Sequence, residues 1–287
     1  MPIATLAELT RFPVKSMAGE SLVSIDLGPG GLPGDRAWAV RDEVRGGIRG
    51  AKKIPALMTL RSRYAEPPAR KGSSPAEITL PDGTALPTGA PDINERLSKA
   101  IDHEVSLWPL LPADALDHYR RGAPAHEDLE QELRGVFGRT PDEPLPDLGL
   151  FPPEILEFES PPGTYFDAFP LMLMSEASLR TMQERAPESR FDVRRFRPNL
   201  LVTDTTDSDP FPEQAWRGSR VKLGEAVLQI TVECPRCVMT THGFDDLPKD
   251  PGVMRALVRE NGGNLGVYAR VETPGRIKVG DALELLD

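Results

Sequence analysis

Apolar and polar residues alternate over short stretches along most of the chain, which is the pattern of half-buried β-strands. About a dozen such stretches occur, and most of them end at turn-forming residues such as Gly, Pro or Asp. We predict strands at 3–12, 21–27, 35–40, 57–64, 76–80, 104–108, 169–174, 199–203, 220–223, 227–232, 265–271 and 276–285. Closure of these strands into a barrel would remove their exposed edges.

Helical spacing of apolar residues is less frequent. The predicted helices cover 92–101, 126–137, 175–185 and 251–261. Ser175 is a favourable N-cap for the third of them, and Gly262 is a favourable stop for the fourth. The expected fold class is therefore mainly β (α+β), with a few peripheral helices.

Three stretches show neither the alternation of a strand nor the spacing of a helix. The Gly- and basic-rich stretch 41–56 is interpreted as a mobile loop, and the charged stretch 204–209 as a solvated loop. The segment 109–163 is rich in Pro, Asp and Glu. We interpret it as an elaborated surface connection and as the best place for a domain boundary.

Composition narrows the class of protein. The 287 residues carry a formal net charge of −10, which disfavours binding to nucleic acid or to a membrane surface. The start of the chain lacks the pattern of a signal peptide, and no apolar run approaches the roughly 20 residues that span a bilayer. Two cysteines do not make a disulfide framework. We expect a cytoplasmic protein with reduced thiols.

Both cysteines lie in one short motif, Cys234-Pro-Arg-Cys237, at the end of an apolar strand. A thiolate is a soft metal ligand, and the adjacent Arg236 should favour the thiolate over the thiol. A structural zinc site is disfavoured because it would need more ligands. A thioredoxin-like dithiol is disfavoured because the surroundings are β rather than βαβ. From the motif alone, the interpretation that both thiols are buried and only structural stays open.

Three cations stand beside turn-forming residues, namely Lys15, Arg36 and Arg197. Convergent cations on turns suit an anionic ligand, since Arg can bind phosphate with two parallel hydrogen bonds. The alternative is that they are ordinary surface charges. His242 follows the cysteine motif. It either lines a site there or only caps the segment as a structural residue.

Several short motifs occur together in a fixed order. They are PVKS (13–16), GDR (34–36) with Trp38, SEAS (175–178), FRPN (196–199), CPRC (234–237), NLGVY (264–268) and KVGD (278–281). In order and spacing the chain resembles the MOSC (molybdenum cofactor sulfurase C-terminal) domain family in its two-part form, with the MOSC N-terminal β-barrel region. It is similar within that family to the mitochondrial amidoxime-reducing components.

The resemblance implies a MOSC β-barrel core with an N-terminal β-barrel-like subdomain. It implies a MOSC N-terminal region over 1–110, a Pro-rich insertion over 111–163 and a MOSC domain over 164–287, with the first strands completing the C-terminal barrel. It also implies a molybdenum cofactor (Mo-molybdopterin) whose metal is bound by Cys237, which would be the catalytic residue. The implied cofactor contacts are Lys15, Ser16, Arg36, Arg197, Asn199 and Arg236.

The activity implied by the resemblance is reduction of N-hydroxylated small molecules. The electrons would come from a separate partner, such as a ferredoxin, a flavin reductase or a cytochrome b5-like protein. Two alternatives stay open: a sulfur carrier or sulfurtransferase with a persulfide on Cys237, and a protein that only binds or stores the cofactor. Ala168 and Phe169 stand where the amidoxime reducers have hydroxyl residues, and 109–163 differs from theirs. His242 and Asp167 are the candidate proton donors.

Overall fold

The computed structural model describes residues 1–204 and 209–286, and most of the predicted loop 204–209 lies outside these ranges. Across the described residues the chain forms sixteen strands and six α-helices. The strands are β1 (Pro2–Arg11), β2 (Glu20–Leu22), β3 (Ser24–Leu27), β4 (Trp38–Asp42), β5 (Ile48–Arg49), β6 (Arg61–Arg63), β7 (Glu77–Thr79), β8 (Ala85–Pro87), β9 (Val105–Pro109), β10 (Leu171–Ser175), β11 (Leu200–Asp204), β12 (Arg220–Leu223), β13 (Ala226–Pro235), β14 (Asn264–Thr273), β15 (Gly275–Lys278) and β16 (Ala282–Leu285). The helices are α1 (Ile93–Ile101), α2 (Leu116–Tyr119), α3 (Leu129–Phe137), α4 (Glu154–Glu157), α5 (Glu176–Arg185) and α6 (Gly252–Asn261).

Seven of the described strands close into a barrel in the order β1–β11–β10–β14–β13–β12–β16, with β16 returning to β1. The predicted mainly β fold with a barrel core is confirmed. Strand β1 closes the ring by pairing antiparallel with β11, with Leu6 opposite Val202 and Leu9 opposite Leu200. The register shifts between Leu6 and Glu8, so the inward face passes from even to odd positions. These side chains fill the barrel interior.

A second core lies beside the barrel, under the sheets β5–β4–β9 and β6–β7–β8. It contains Val14 and Leu60 from the N-terminal part of the chain together with Met239 and Phe244 from the C-terminal part. The two regions therefore meet around the segment that follows the cysteine motif. The division of the chain at residues 110 and 163 stays a prediction.

Helix ends agree well with the sequence. The Ser175 side chain accepts a hydrogen bond from the Ala177 N–H and starts α5, and Gly262 ends α6 with a φ of 59°. The strand predicted at 57–64 is correct only at Arg61–Arg63. Pro55 favours a 3₁₀ turn over Pro55–Thr59, and only β6 follows it as strand.

Two other sequence interpretations need correction. The stretch 41–56 contains β5 and the buried residues Ala51 and Ile54, so it is not a simple loop. The segment 109–163 is more than a surface connection, because its Tyr119 and Phe158 are buried against Ile48. No helix among the described residues is long and apolar enough to cross a membrane.

Candidate functional site

The cysteine motif lies where β13 leaves the barrel. The pairing of β13 with β14 becomes irregular beyond Ile230, and the Arg236 N–H donates to the Gly263 carbonyl at 2.8 Å. Cys234 is buried, whereas Cys237 is half-buried and starts a 3₁₀ turn over Val238–Thr241. The two thiols are therefore not equivalent.

Most of the predicted site residues meet in one pocket beside this motif. Its lining includes Arg36, Arg197, Asn199, Arg236 and Cys237. Cys234 also lines the pocket. Residues that are far apart in the sequence thus converge on Cys237, as the cofactor-site hypothesis requires.

Lys15 and Ser16 do not line this pocket. The Lys15 ammonium is buried and lies 2.8 Å from the Asp167 carboxylate, and Asp167 does line the pocket. Lys15 also donates to the Tyr165 carbonyl at 2.8 Å. The Ser16 hydroxyl accepts from the Ala51 N–H at 2.8 Å. Both residues therefore support neighbouring segments.

Three of the predicted residues have left-handed backbone, with φ of 70° at Ser16, 49° at Arg36 and 56° at Arg197. The other non-glycine residues described with positive φ are Asp102 and Asp245. This region is costly for side chains that are not glycine, and such strain concentrates at functional sites. The turns that carry these residues hold them in an uncommon conformation.

The buried Arg236 and the half-buried Arg197 form no ion pair with a carboxylate within the described residues. Arg197 Nη1 donates to the Met17 carbonyl at 2.5 Å, and Arg236 Nη2 donates to the Phe196 carbonyl at 2.6 Å. Arg197 Nη2 and Arg236 Nε have no hydrogen-bond partner in the part of the chain that the structure describes. Burial, together with the neighbouring Arg36, lowers the pKa of Arg197 to about 9. A bound anion would accept hydrogen bonds from both of these N–H groups.

Cys237 faces a mixed electrostatic environment. Burial raises the pKa of its thiol, while Lys52 and Arg236 act in the opposite direction. Arg236 thus favours the thiolate as expected, but burial outweighs it, and the pKa of the Cys237 thiol is raised in the protein without a cofactor. Arg236 Nη1 instead donates to the Cys234 sulfur at 2.9 Å.

Lys52 and Asp167 form an ion pair at 3.3 Å in a wider cleft next to Cys237. The Asp167 side chain stays 41% exposed. Partial desolvation opposes its ionisation, but Lys15 and Lys52 outweigh this effect and hold the pKa of the carboxyl well below its usual range. Asp167 is therefore a poor proton donor at neutral pH. Lys52 was missed in the sequence because it belongs to the stretch interpreted as a mobile loop.

His242 lines neither the pocket nor the cleft. Its carbonyl accepts from the buried Arg195 at 2.9 Å, and burial lowers the pKa of its imidazole. The structure thus gives His242 a place in the second core region and not in the site.

The fold and the pocket define a class of β-barrel protein that presents a thiol among buried cations. The MOSC domain family matches residues 162–284, and the MOSC N-terminal beta barrel domain family matches residues 3–108. The chain belongs to the MOSC family in its two-domain form.

The chain is similar to several animal proteins. The chain is 30% identical to mitochondrial amidoxime reducing component 2 of Bos taurus over 41% of its own length and 37% of the relative's. It is 30% identical to mitochondrial amidoxime-reducing component 1 of Homo sapiens over 42% of its length and 38% of the relative's. A longer match, at 27% identity, covers 97% of this chain and 82% of mitochondrial amidoxime reducing component 2 of Homo sapiens. The matches with the first two relatives thus span less than half of their length.

Proposed function

We propose that this protein is a molybdenum-cofactor-dependent oxidoreductase that reduces N-hydroxylated compounds. For a hydroxylamine the reaction is R–NH–OH plus two electrons and two protons, giving R–NH₂ and water. The observation that carries the proposal is that Cys237 shares a pocket with Arg197 and Arg236, each of which has one buried guanidinium N–H without a hydrogen-bond partner among the described residues. The names of the relatives support the reaction class.

The residues present fit the cofactor. The free N–H groups of Arg197 and Arg236 would bind its phosphate, with Arg36 and Asn199 beside them. The Cys237 sulfur would bind the metal. No group of three or more His, Cys, Asp or Glu residues that could hold a metal occurs in the described ranges, so the remaining ligands would come from the cofactor itself. When bound, the cofactor would supply the two-electron redox centre.

Lys15 and Ser16 would act indirectly in this proposal. Lys15 orients Asp167 at the pocket, and Ser16 holds the turn against Ala51. The electron donor would be a separate protein of the ferredoxin, flavin reductase or cytochrome b5-like type. Sulfur transfer is the second candidate function, because the thiol of Cys237 is only half-buried and faces the wider cleft.

Reduction of benzamidoxime by dithionite-reduced methyl viologen tests the proposal. Protein purified from a host that makes the molybdenum cofactor should release benzamidine, and protein from a host lacking the cofactor should not. Equal rates from both preparations would contradict the proposal. Sulfur that cyanide releases from metal-free wild-type protein, but not from Cys237→Ala, would favour the sulfur carrier.

A further inference from the structure

The cleft beside Cys237 has an unusual wall. Helix α3 presents Leu133, Val136 and Phe137 to it, and the segment that follows adds Phe151, Ile155 and Leu156. None of the nine residues of α3 is fully buried, and none belongs to the buried sets of the four hydrophobic cores. The apolar face of this helix therefore lines the cleft instead of packing into a core.

The size of the cleft suits a small molecule. Its volume is about 410 Å³, within the range of about 300–1,000 Å³ that is typical of small-molecule sites. It adjoins the pocket beside the cysteine motif. The two share four lining residues, namely Cys237, Asp167, Pro235 and Tyr268. A compound whose N–OH group reached Cys237 would thus have the rest of its body in this cleft.

Each cation of the cleft already contacts an acceptor, and only Arg49 keeps an N–H group (Nε) without a hydrogen-bond partner among the described residues, 4.0 Å from the Asp42 carboxylate. The acceptors are Glu132 for Lys53 at 2.5 Å, Glu159 for Arg121 at 2.6 Å, Asp167 for Lys52 at 3.3 Å, and the Ala123 carbonyl for Arg49 at 2.6 Å. A charged substituent would have to displace one of these contacts. An uncharged apolar substituent would only need to cover the exposed side chains of the wall.

We infer that the substrate is an N-hydroxylated compound that carries an extended, uncharged apolar group, and that the wall formed by α3 and residues 151–156 binds this group. The inference rests on the proposed function and adds the substrate class to it. The wall belongs to the segment 109–163, so this segment determines substrate specificity.

A series of N-alkylhydroxylamines from ethyl to octyl tests the inference with the cofactor-loaded protein and reduced methyl viologen. Each added methylene should raise kcat/KM about twofold to fourfold, as expected for a CH₂ group that leaves water. Turnover that does not change with chain length would overturn the inference and leave the proposed function intact. Absence of turnover at every length would instead contradict the proposed function.

Binding can be measured independently of turnover. Titration calorimetry of N-octylhydroxylamine into the protein without an electron donor should show a Kd at least about sixtyfold lower than that for the ethyl compound, because each of the six added methylenes contributes about twofold or more. Equal affinities would overturn the inference even if the protein catalysed no reaction.

The chain offers a matched pair of variants. Leu156 and Leu150 are 59% and 58% exposed in the same segment, but Leu156 lines the cleft and Leu150 does not. Leu156→Ser should raise the Kd of the octyl compound about threefold to tenfold and leave that of the ethyl compound unchanged. Leu150→Ser should change neither value. Equal effects of the two substitutions would contradict the assignment of this wall.

Discussion

The guanidinium carbon of Arg197 lies 4.1 Å from the centre of the Phe12 ring. The guanidinium of Arg36 lies 5.0 Å from the same ring, so one aromatic side chain contacts two of the predicted cofactor-binding cations. The face of an aromatic ring attracts cations, most strongly where water is excluded. Phe12 thus helps to hold two like charges together, in addition to the Asp35 carboxylate, which forms an ion pair with Arg36.

Phe12→Leu should weaken cofactor binding while the barrel stays folded. Loss of the two cation–ring contacts removes on the order of 1–2 kcal/mol, or about tenfold in affinity. Molybdenum retained per chain after dialysis measures the effect. Phe158→Leu is the control, because Phe158 is 6% exposed, close to the 5% of Phe12, and has Arg120 over its ring but does not line the pocket. Equal losses of metal in the two variants would contradict this role of Phe12.

Asn199 connects two strands of the barrel as well as lining the pocket. Its amide donates to the Thr10 carbonyl at 3.1 Å and accepts from the Met172 N–H at 3.3 Å. Asn199→Ala should therefore lower the free energy of unfolding of the cofactor-free protein by about 1–3 kcal/mol. Urea unfolding measures this change. Asn261→Ala is the control. It removes a hydrogen bond to the Asn264 carbonyl at a half-buried position and should lower the free energy of unfolding by less.

Asp102 ends α1 with left-handed backbone (φ 51°), far in sequence from the site motifs. Glycine adopts this conformation without strain, and loss of the carboxylate also suits the C-terminal end of a helix. Asp102→Gly should raise the free energy of unfolding by about 0.5–1 kcal/mol and leave activity unchanged. Thermal unfolding tests this expectation, and a lower Tm would contradict it.

Asp167 should make the cofactor-free protein sensitive to acid. The lowered pKa of its carboxyl means that the unfolded chain takes up this proton at a higher pH than the folded protein does. The resulting stability is present above about pH 4 and is lost as the pH falls further. Between about pH 5 and pH 3, wild type should therefore lose more stability than Asp167→Asn.

Urea unfolding at several pH values measures this difference. Asp114→Asn is the control, because Asp114 is exposed and lies outside the pocket and the cleft. Its curve should follow that of wild type. Parallel curves for wild type and Asp167→Asn would show that the ion pairs of Asp167 contribute no pH-dependent stability.

Much of the fold follows from local patterns. Alternation predicted β1 and β13, and the capping residues Ser175 and Gly262 fixed the ends of α5 and α6. The closure between β1 and β11 could not be derived in this way, because alternation gives the face of a strand but not its partner.

The residues of the candidate site could likewise be predicted only in part. Arg36 and Arg197 could be singled out because each lies next to a turn-forming residue, and the structure shows both with left-handed backbone. Lys52 could not be singled out, because its burial depends on a distant part of the chain. The segment 109–163 lies over its neighbours, with Ala123 bonded to Arg49 and Glu132 paired with Lys53. The sequence pattern within 41–56 does not indicate that the segment 109–163 packs over it.

We propose that Cys237 binds the metal of a molybdenum cofactor. Elemental analysis of protein purified from a host that makes this cofactor tests this role of Cys237. We expect about one molybdenum per chain in wild type and in Cys234→Ala, and none in Cys237→Ala. Metal that persists in Cys237→Ala, or is absent from wild type, would contradict it.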